Sequence, residues 1–128
     1  MSARAWVWIP LKAVLAIHDE QISEHGGPGG VRDLGLVESA VARPMHLMTY
    51  DEPDAAAIAA AYAFGLCRNH GFVDGNKRTA YVVAETFLVL NGYEMDASDE
   101  AVVETMLAVA SGSMTEEGLV GWFRLFVR

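Results

Sequence analysis

The amino-acid sequence predicts a mostly α-helical fold, and three observations carry that prediction. Apolar residues recur at helical spacing along most of the chain, and residues suited to helix caps stand where those stretches begin. Only one short run, Trp6-Val7-Trp8-Ile9, has the aromatic and β-branched make-up of a strand. At 128 residues the chain is read as one domain, 1–128, able to bury roughly two thirds of the surface its unfolded form exposes without a disulfide or metal staple.

Taken in order, Leu11, Val14, Leu15, His18 and Ile22 define an amphipathic helix over 11–24, with His18 on or beside its buried stripe. The run His25-Gly-Gly-Pro-Gly-Gly stops it and is read as a helix-terminating turn. Asp33 caps a short second helix that ends before Pro44, because proline disfavours helical geometry in the residue before it. Residues 44–53, with a proline at each end and no period, read as a loop. Seven alanines between 55 and 63, followed by Gly65, give a smooth third helix that neighbours can approach closely, the expected centre of the fold. Helical spacing resumes over 77–90 through Ala80, Val83, Ala84, Phe87 and Leu90, with Gly92 suited to a left-handed position after the last turn. Ser98 caps a fifth helix with Val102, Val103, Met106 and Ala110 as its stripe. Thr115 caps a sixth, whose Leu119, Val120, Phe123 and Phe126 face inward.

Composition excludes several classes of function. Apolar runs fall short of the roughly 20 residues of a membrane span, so no membrane partner is expected. The amino-terminal stretch has one early arginine, Arg4, but Pro10, Lys12 and His18 interrupt its apolar part, and it is not read as a secretory signal. The single cysteine, Cys67, allows no internal disulfide and suits a reducing cytoplasm; it reads as a small buried hydrophobe. A net charge of −8 argues against direct nucleic-acid binding, which draws on clustered lysine and arginine. Zinc is disfavoured, since neither HExxH nor paired cysteines occur. His25 and His46 read as surface residues.

Against this acidic background, the stretch Arg68-Asn-His-Gly-Phe-Val-Asp-Gly-Asn-Lys-Arg78 gathers three of the nine basic residues between two helices. Backbone N–H groups of the helix beginning near Asn76 lack intrahelical partners and attract anions, and Lys77 and Arg78 add charge beside the dipole. Gly71 and Gly75 permit positive φ or a close backbone approach. Asp74 offers a hard oxygen to the magnesium of a bound nucleotide, and His70 offers a neutral imidazole to a hydroxyl attacking phosphorus. Phe72, between polar positions, anchors the loop. Together these residue types make a phosphoryl-transfer site.

The segment His70-Gly-Phe-Val-Asp-Gly-Asn-Lys-Arg78 resembles the signature of the Fic/Doc superfamily. The flanks Ala16–Pro44 and Phe87–Glu100 are similar to its death-on-curing (Doc) branch, so the likeness covers nearly the whole chain. The resemblance implies an all-α, single-domain helical bundle with the motif loop between two central helices. It implies a cytoplasmic toxin whose cognate antitoxin, Phd-like or similar, blocks the active groove. Carried over by position, His70 is the catalytic base, Asp74 the magnesium ligand, Gly75, Asn76 and Lys77 phosphate contacts, and Arg78 both phosphate contact and catalytic stabiliser; ATP and Mg2+ are the implied cofactors. Doc relatives pass the γ-phosphate of ATP to a threonine of elongation factor Tu, whereas most Fic relatives transfer AMP. Lys77 favours the former, because AMP-transferring members commonly have glycine there. An AMP transferase and a catalytically silent binding module are the alternatives. Gly71 departs from the usual proline, a change expected to loosen the loop.

Two further stretches have a double reading. Residues 44–53 align with the flap that in this family clamps the target segment, and equally fit an ordinary surface loop. Ser113–Gly118 fits the family's loose inhibitory pattern Ser-x-x-x-Glu-Gly, but Thr115 followed by acids is adequately explained as a helix start.

Overall fold

The computed structural model describes residues 5–128; Arg4 of the amino-terminal reading lies outside them. Six helices follow one another, α1 Leu11–His25, α2 Leu34–Leu47, α3 Ala55–Asn69, α4 Asn76–Leu90, α5 Asp99–Ser111 and α6 Glu116–Phe126, with no strand beyond two isolated bridges among the described residues. The all-α expectation holds.

Helix α3 is the axis of the bundle. Eleven of its fifteen residues are buried, alanines for the most part, and α2, α4, α5 and α6 all pack on it. Its small residues set the separations: a Cβ at Gly65 would lie 3.3 Å from Ala40 Cα, so α2 rests almost directly on the α3 backbone. Asp54 starts α3 by accepting the Ala57 N–H at 2.9 Å, and Arg124 of α6 grips the same carboxylate through two N–H groups at 2.9 and 3.1 Å. Asp33, Ser98 and Thr115 cap α2, α5 and α6 as the sequence indicates, each satisfying an otherwise unpartnered N–H in the first turn.

Three expectations fail for identifiable reasons. Helix α2 does not end before Pro44 but runs through it to Leu47, which converts the first part of the predicted 44–53 loop into helix. Proline removes one N–H bond to the residue four earlier; packing on both sides of it overrides the loss. Ala40 lies against Gly65, Arg43 is ion-paired with Glu116 and stands over the Phe64 ring, and Pro44 itself is buried. The Trp6–Ile9 run is extended but joins no sheet. Its backbone is satisfied by side chains: Val7 exchanges two hydrogen bonds with the Asn91 amide at 2.8 and 2.9 Å, and Ile9 N–H donates to the Tyr62 hydroxyl at 2.9 Å. Trp6 and Trp8 close on Phe87, which shows strand propensity acting as side-chain fit rather than backbone preference. On α5 the buried stripe is Thr105, Met106 and Val109, while Val103 and Ala110 face out. Adjacent apolar pairs along α5 offer two neighbouring faces, and only one can meet α3 and α4.

Candidate active site

The loop from His70 to Gly75 joins the end of α3 to the start of α4, and each of its residues is fixed by a separate contact. His70 ends α3 in the left-handed conformation, φ 51° and ψ 48°, the only non-glycine among the described residues with positive φ. Such a backbone costs on the order of 1–3 kcal/mol and persists where its surroundings enforce it. Arg32 enforces it: Nε and Nη2 donate to the His70 carbonyl at 2.8 and 2.6 Å, and Nη2 also reaches the Asn69 carbonyl at 3.3 Å. The main chain of residue 70 is thereby clamped while its imidazole stays exposed.

Gly71 is not in the left-handed region; closeness explains it. A Cβ there would lie 2.5 Å from Val37 Cγ2 and 3.2 Å from Asp33 O, and its own carbonyl accepts the Arg32 and Asp33 N–H groups at 2.8 and 2.9 Å. The loop is seated on the first turn of α2, so the absent proline leaves it tightly held and the expected loosening does not occur. Phe72 is buried, bridged to Val31 and stacked on His18 with ring centroids 3.8 Å apart. The Asn76 side chain folds back onto it, accepting the Phe72 N–H and donating to the Phe72 carbonyl, both at 3.0 Å. Its amide is thereby engaged at both ends, and its main-chain N–H stands at the helix start without an intrahelical partner.

Asp74 is exposed, with Oδ1 accepting the Gly75 N–H at 2.8 Å and its main-chain oxygen meeting His18 Nε2 at 2.8 Å. A Cβ at Gly27 would fall 2.4 Å from Asp74 Oδ2, so that glycine, φ 105°, leaves the space the carboxylate occupies. Gly75 has φ 75° and serves as the N-cap of α4 without a side chain to block the first-turn N–H groups. Lys77 and Arg78 follow, both exposed and neither in an ion pair among the described residues. They line one end of a cavity of about 560 Å³ between α1, α4 and α5, whose walls include Gln21, Tyr81, Val102 and Met106. Tyr81 donates to Glu85 at 3.3 Å, and burial followed by that carboxylate pushes its phenol far above the ordinary range.

The structure therefore brings His70, Asp74, Gly75, Asn76, Lys77 and Arg78 into one turn and helix start. It also supplies partners that the sequence did not suggest. The segment read as a mere helix-terminating turn braces the motif through Gly27 and through the Gly30 carbonyl, which accepts the Val73 N–H at 3.1 Å, and Arg32, two residues beyond it, clamps the His70 carbonyl. Arg32 and His70 stand 38 residues apart, and no local pattern marks such a pair. Cys67 is buried, and burial raises its thiol despite Lys77, which fits the reading as a small hydrophobe. In the doubtful Ser113–Gly118 stretch, Thr115 caps α6 and the acid engaged in an ion pair is Glu116, with Arg43 of α2.

Among the described residues no group of three histidines, cysteines or carboxylates could form a metal cage. One exposed carboxylate beside an anion-attracting helix start instead suits Mg2+ that arrives on a nucleotide and keeps most of its ligands from phosphate and water. Fold and site together define a class: small helical proteins with a glycine-bounded turn that leads into a helix start carrying two exposed cations, with an exposed imidazole in the same turn. A family model described as Fic/DOC family matches residues 8–88. The chain is 32% identical over 112 residues to "Protein kinase doc" of Escherichia phage P1, covering 87% of this chain and 88% of that protein. It is 47% identical over 74 residues to "Toxin Doc" of Mycolicibacterium smegmatis (strain ATCC 700084 / mc(2)155), covering 56% of this chain and 57% of that protein. This chain belongs to the Fic/DOC family.

Proposed function

We propose that this protein is the toxin of a toxin–antitoxin pair, acting in the cytoplasm by moving the γ-phosphate of ATP onto a hydroxyl side chain of another protein. A threonine of elongation factor Tu is the proposed target, and a Phd-like antitoxin the proposed inhibitor. The observation that carries the reading is the start of α4, where first-turn N–H groups without intrahelical partners stand beside the exposed Lys77, Arg78, His70 and Asp74 in a chain of net charge −8. A relative named as a protein kinase and one named as a toxin support it.

In this reading the first-turn N–H groups of α4 and the side chains of Lys77 and Arg78 hold the phosphates. Asp74 holds the nucleotide's Mg2+, which when bound neutralises phosphate charge. His70 accepts the proton of the target hydroxyl as its oxygen forms a bond to the γ-phosphorus; the β–γ bridging P–O bond breaks, and its electron pair leaves on ADP. Arg78 stabilises the charge spread over the transferring group. Lys77 crowds the space that an α-phosphate needs, which favours γ-phosphate over AMP transfer.

Intact-mass analysis of elongation factor Tu after incubation with the protein, Mg2+ and ATP tests this. A phosphate increment, lost with His70→Ala and with Asp74→Ala, is expected. An AMP increment replaces the kinase with an adenylyltransferase on the same site, and no increment with any nucleotide favours a binding module.

A further inference from the structure

His18 is 1% exposed in the middle of α1, on the face that also buries Val14 and Gln21. A buried imidazole needs partners, and this one spends both its ring face and its Nε2 on the motif loop. The ring stacks on Phe72 with planes 8° apart, and Nε2 lies 2.8 Å from the Asp74 carbonyl oxygen. A carbonyl only accepts, so Nε2 carries the proton and the neutral ring is the Nε2–H tautomer. Its Nδ1 faces Asp19 Oδ1 at 3.9 Å, at the solvent edge. One turn further on, Ile22 fills the space beneath both glycines next to Asp74: its Cδ1 would lie 3.2 Å from a Cβ at Gly75 and 3.8 Å from one at Gly27.

From this geometry we infer that His18 is a positioning residue for Asp74. It acts through the main chain, holding the Asp74 carbonyl down on α1 so that the carboxylate, steered by the Gly75 N–H and the gap at Gly27, points outward at the phosphates. The inference rests on the proposed role of Asp74 toward Mg2+. Groups that orient a metal ligand in this way typically alter metal affinity by about 10–100-fold when removed. The histidine touches neither substrate nor metal.

The test compares His18→Phe, which keeps a buried stacked ring without a donor, with His18→Gln, whose Nε2–H can reach the same carbonyl. Two quantities are read after urea unfolding has measured each variant's stability: hydrogen exchange of the Gly75 amide without ligand, and affinity for Mn2+·ADP by electron paramagnetic resonance. H18F is expected to exchange Gly75 about tenfold faster and bind Mn2+·ADP about tenfold more weakly, with H18Q recovering most of both. Wild-type values in H18F, or a loss in H18Q equal to that in H18F, overturn the inference. If neither variant folds, the wild-type ring decides: a slowly exchanging Nε2 proton in long-range 1H–15N spectra is expected, and an Nδ1–H tautomer overturns it. Should wild-type protein bind no Mn2+·ADP, the kinase reading fails, while Gly75 exchange still decides whether His18 orders the loop.

Discussion

Gly71 stands where the resemblance led to an expected proline, and the structure predicts that adding any side chain there is harmful. A methyl group at residue 71 would lie 2.5 Å from Val37 Cγ2, 3.1 Å from Val37 N and 3.2 Å from Asp33 O. Two of these atoms are main chain in the first turn of α2, already hydrogen-bonded to each other at 3.3 Å, and Val37 is buried with no room to turn away. The loop cannot retreat freely either, since the Gly71 carbonyl holds two N–H groups at 2.8 and 2.9 Å. Overpacking of this kind costs about 1–3 kcal/mol. With an unfolding entropy of about 2.1 cal/mol/K per residue, each kcal/mol lowers Tm by roughly 4 °C for a chain of this length, so Gly71→Ala is expected to melt roughly 4–12 °C below wild type. Gly71→Pro carries the same Cβ and should fare no better. Scanning calorimetry on wild type, G71A, V37A and the double variant checks both magnitude and cause. Relieving the Cγ2 contact should make the double variant more stable than additivity predicts by at least about 0.5 kcal/mol. A G71A protein as stable as wild type, or strictly additive effects, would show that the contact with Val37 carries no strain.

Arg32→Ala frees the His70 carbonyl, so turnover on the target protein should fall about tenfold with nucleotide affinity unchanged and stability lowered by about 1 kcal/mol; steady-state kinetics beside calorimetric titration separates these effects. The Arg124 guanidinium holds the Asp54 carboxyl below its ordinary 3.8, so this pair stabilises the fold above that pH, and the contribution is lost as pH falls through the lowered folded value. Asp54→Asn keeps a capping oxygen without the charge; its urea midpoint should lie below wild type at neutral pH, and the two curves should converge at acid pH. Glu117→Gly should leave nucleotide binding and turnover unchanged, because Thr115 and Glu116 already account for the local contacts; activation of the isolated protein would revive an inhibitory role for this stretch.

The helices were legible because their signals are local. Asp33, Ser98 and Thr115 each bond an N–H three residues away, and the alanines of α3 declare a helix that others must crowd. Pro44 misled because its helical fate is decided by Gly65 and Glu116, both distant in sequence. The Trp6–Ile9 run misled because Asn91, 84 residues from Val7, does the work of a neighbouring strand. Within the site the same division holds. His70, Asp74, Lys77 and Arg78 are close in sequence and could be assembled from residue chemistry and resemblance. What holds them, Arg32, Gly27 and His18, arrives from α1 and the turn after it, and only the fold brings those contacts together. His18 was visible as a buried polar residue, but its partner was not.

In the proposed function, the start of α4 between Asp74 and Arg78 grips the phosphates of a magnesium nucleotide. Its most direct test is a titration of 15N-labelled protein with Mg2+·ADP, followed amide by amide. Saturable shifts centred on residues 74–78, abolished by Lys77→Ala with Arg78→Ala, are predicted. Shifts confined to other helices, or none at millimolar nucleotide, would mean that the phosphates bind elsewhere or not at all.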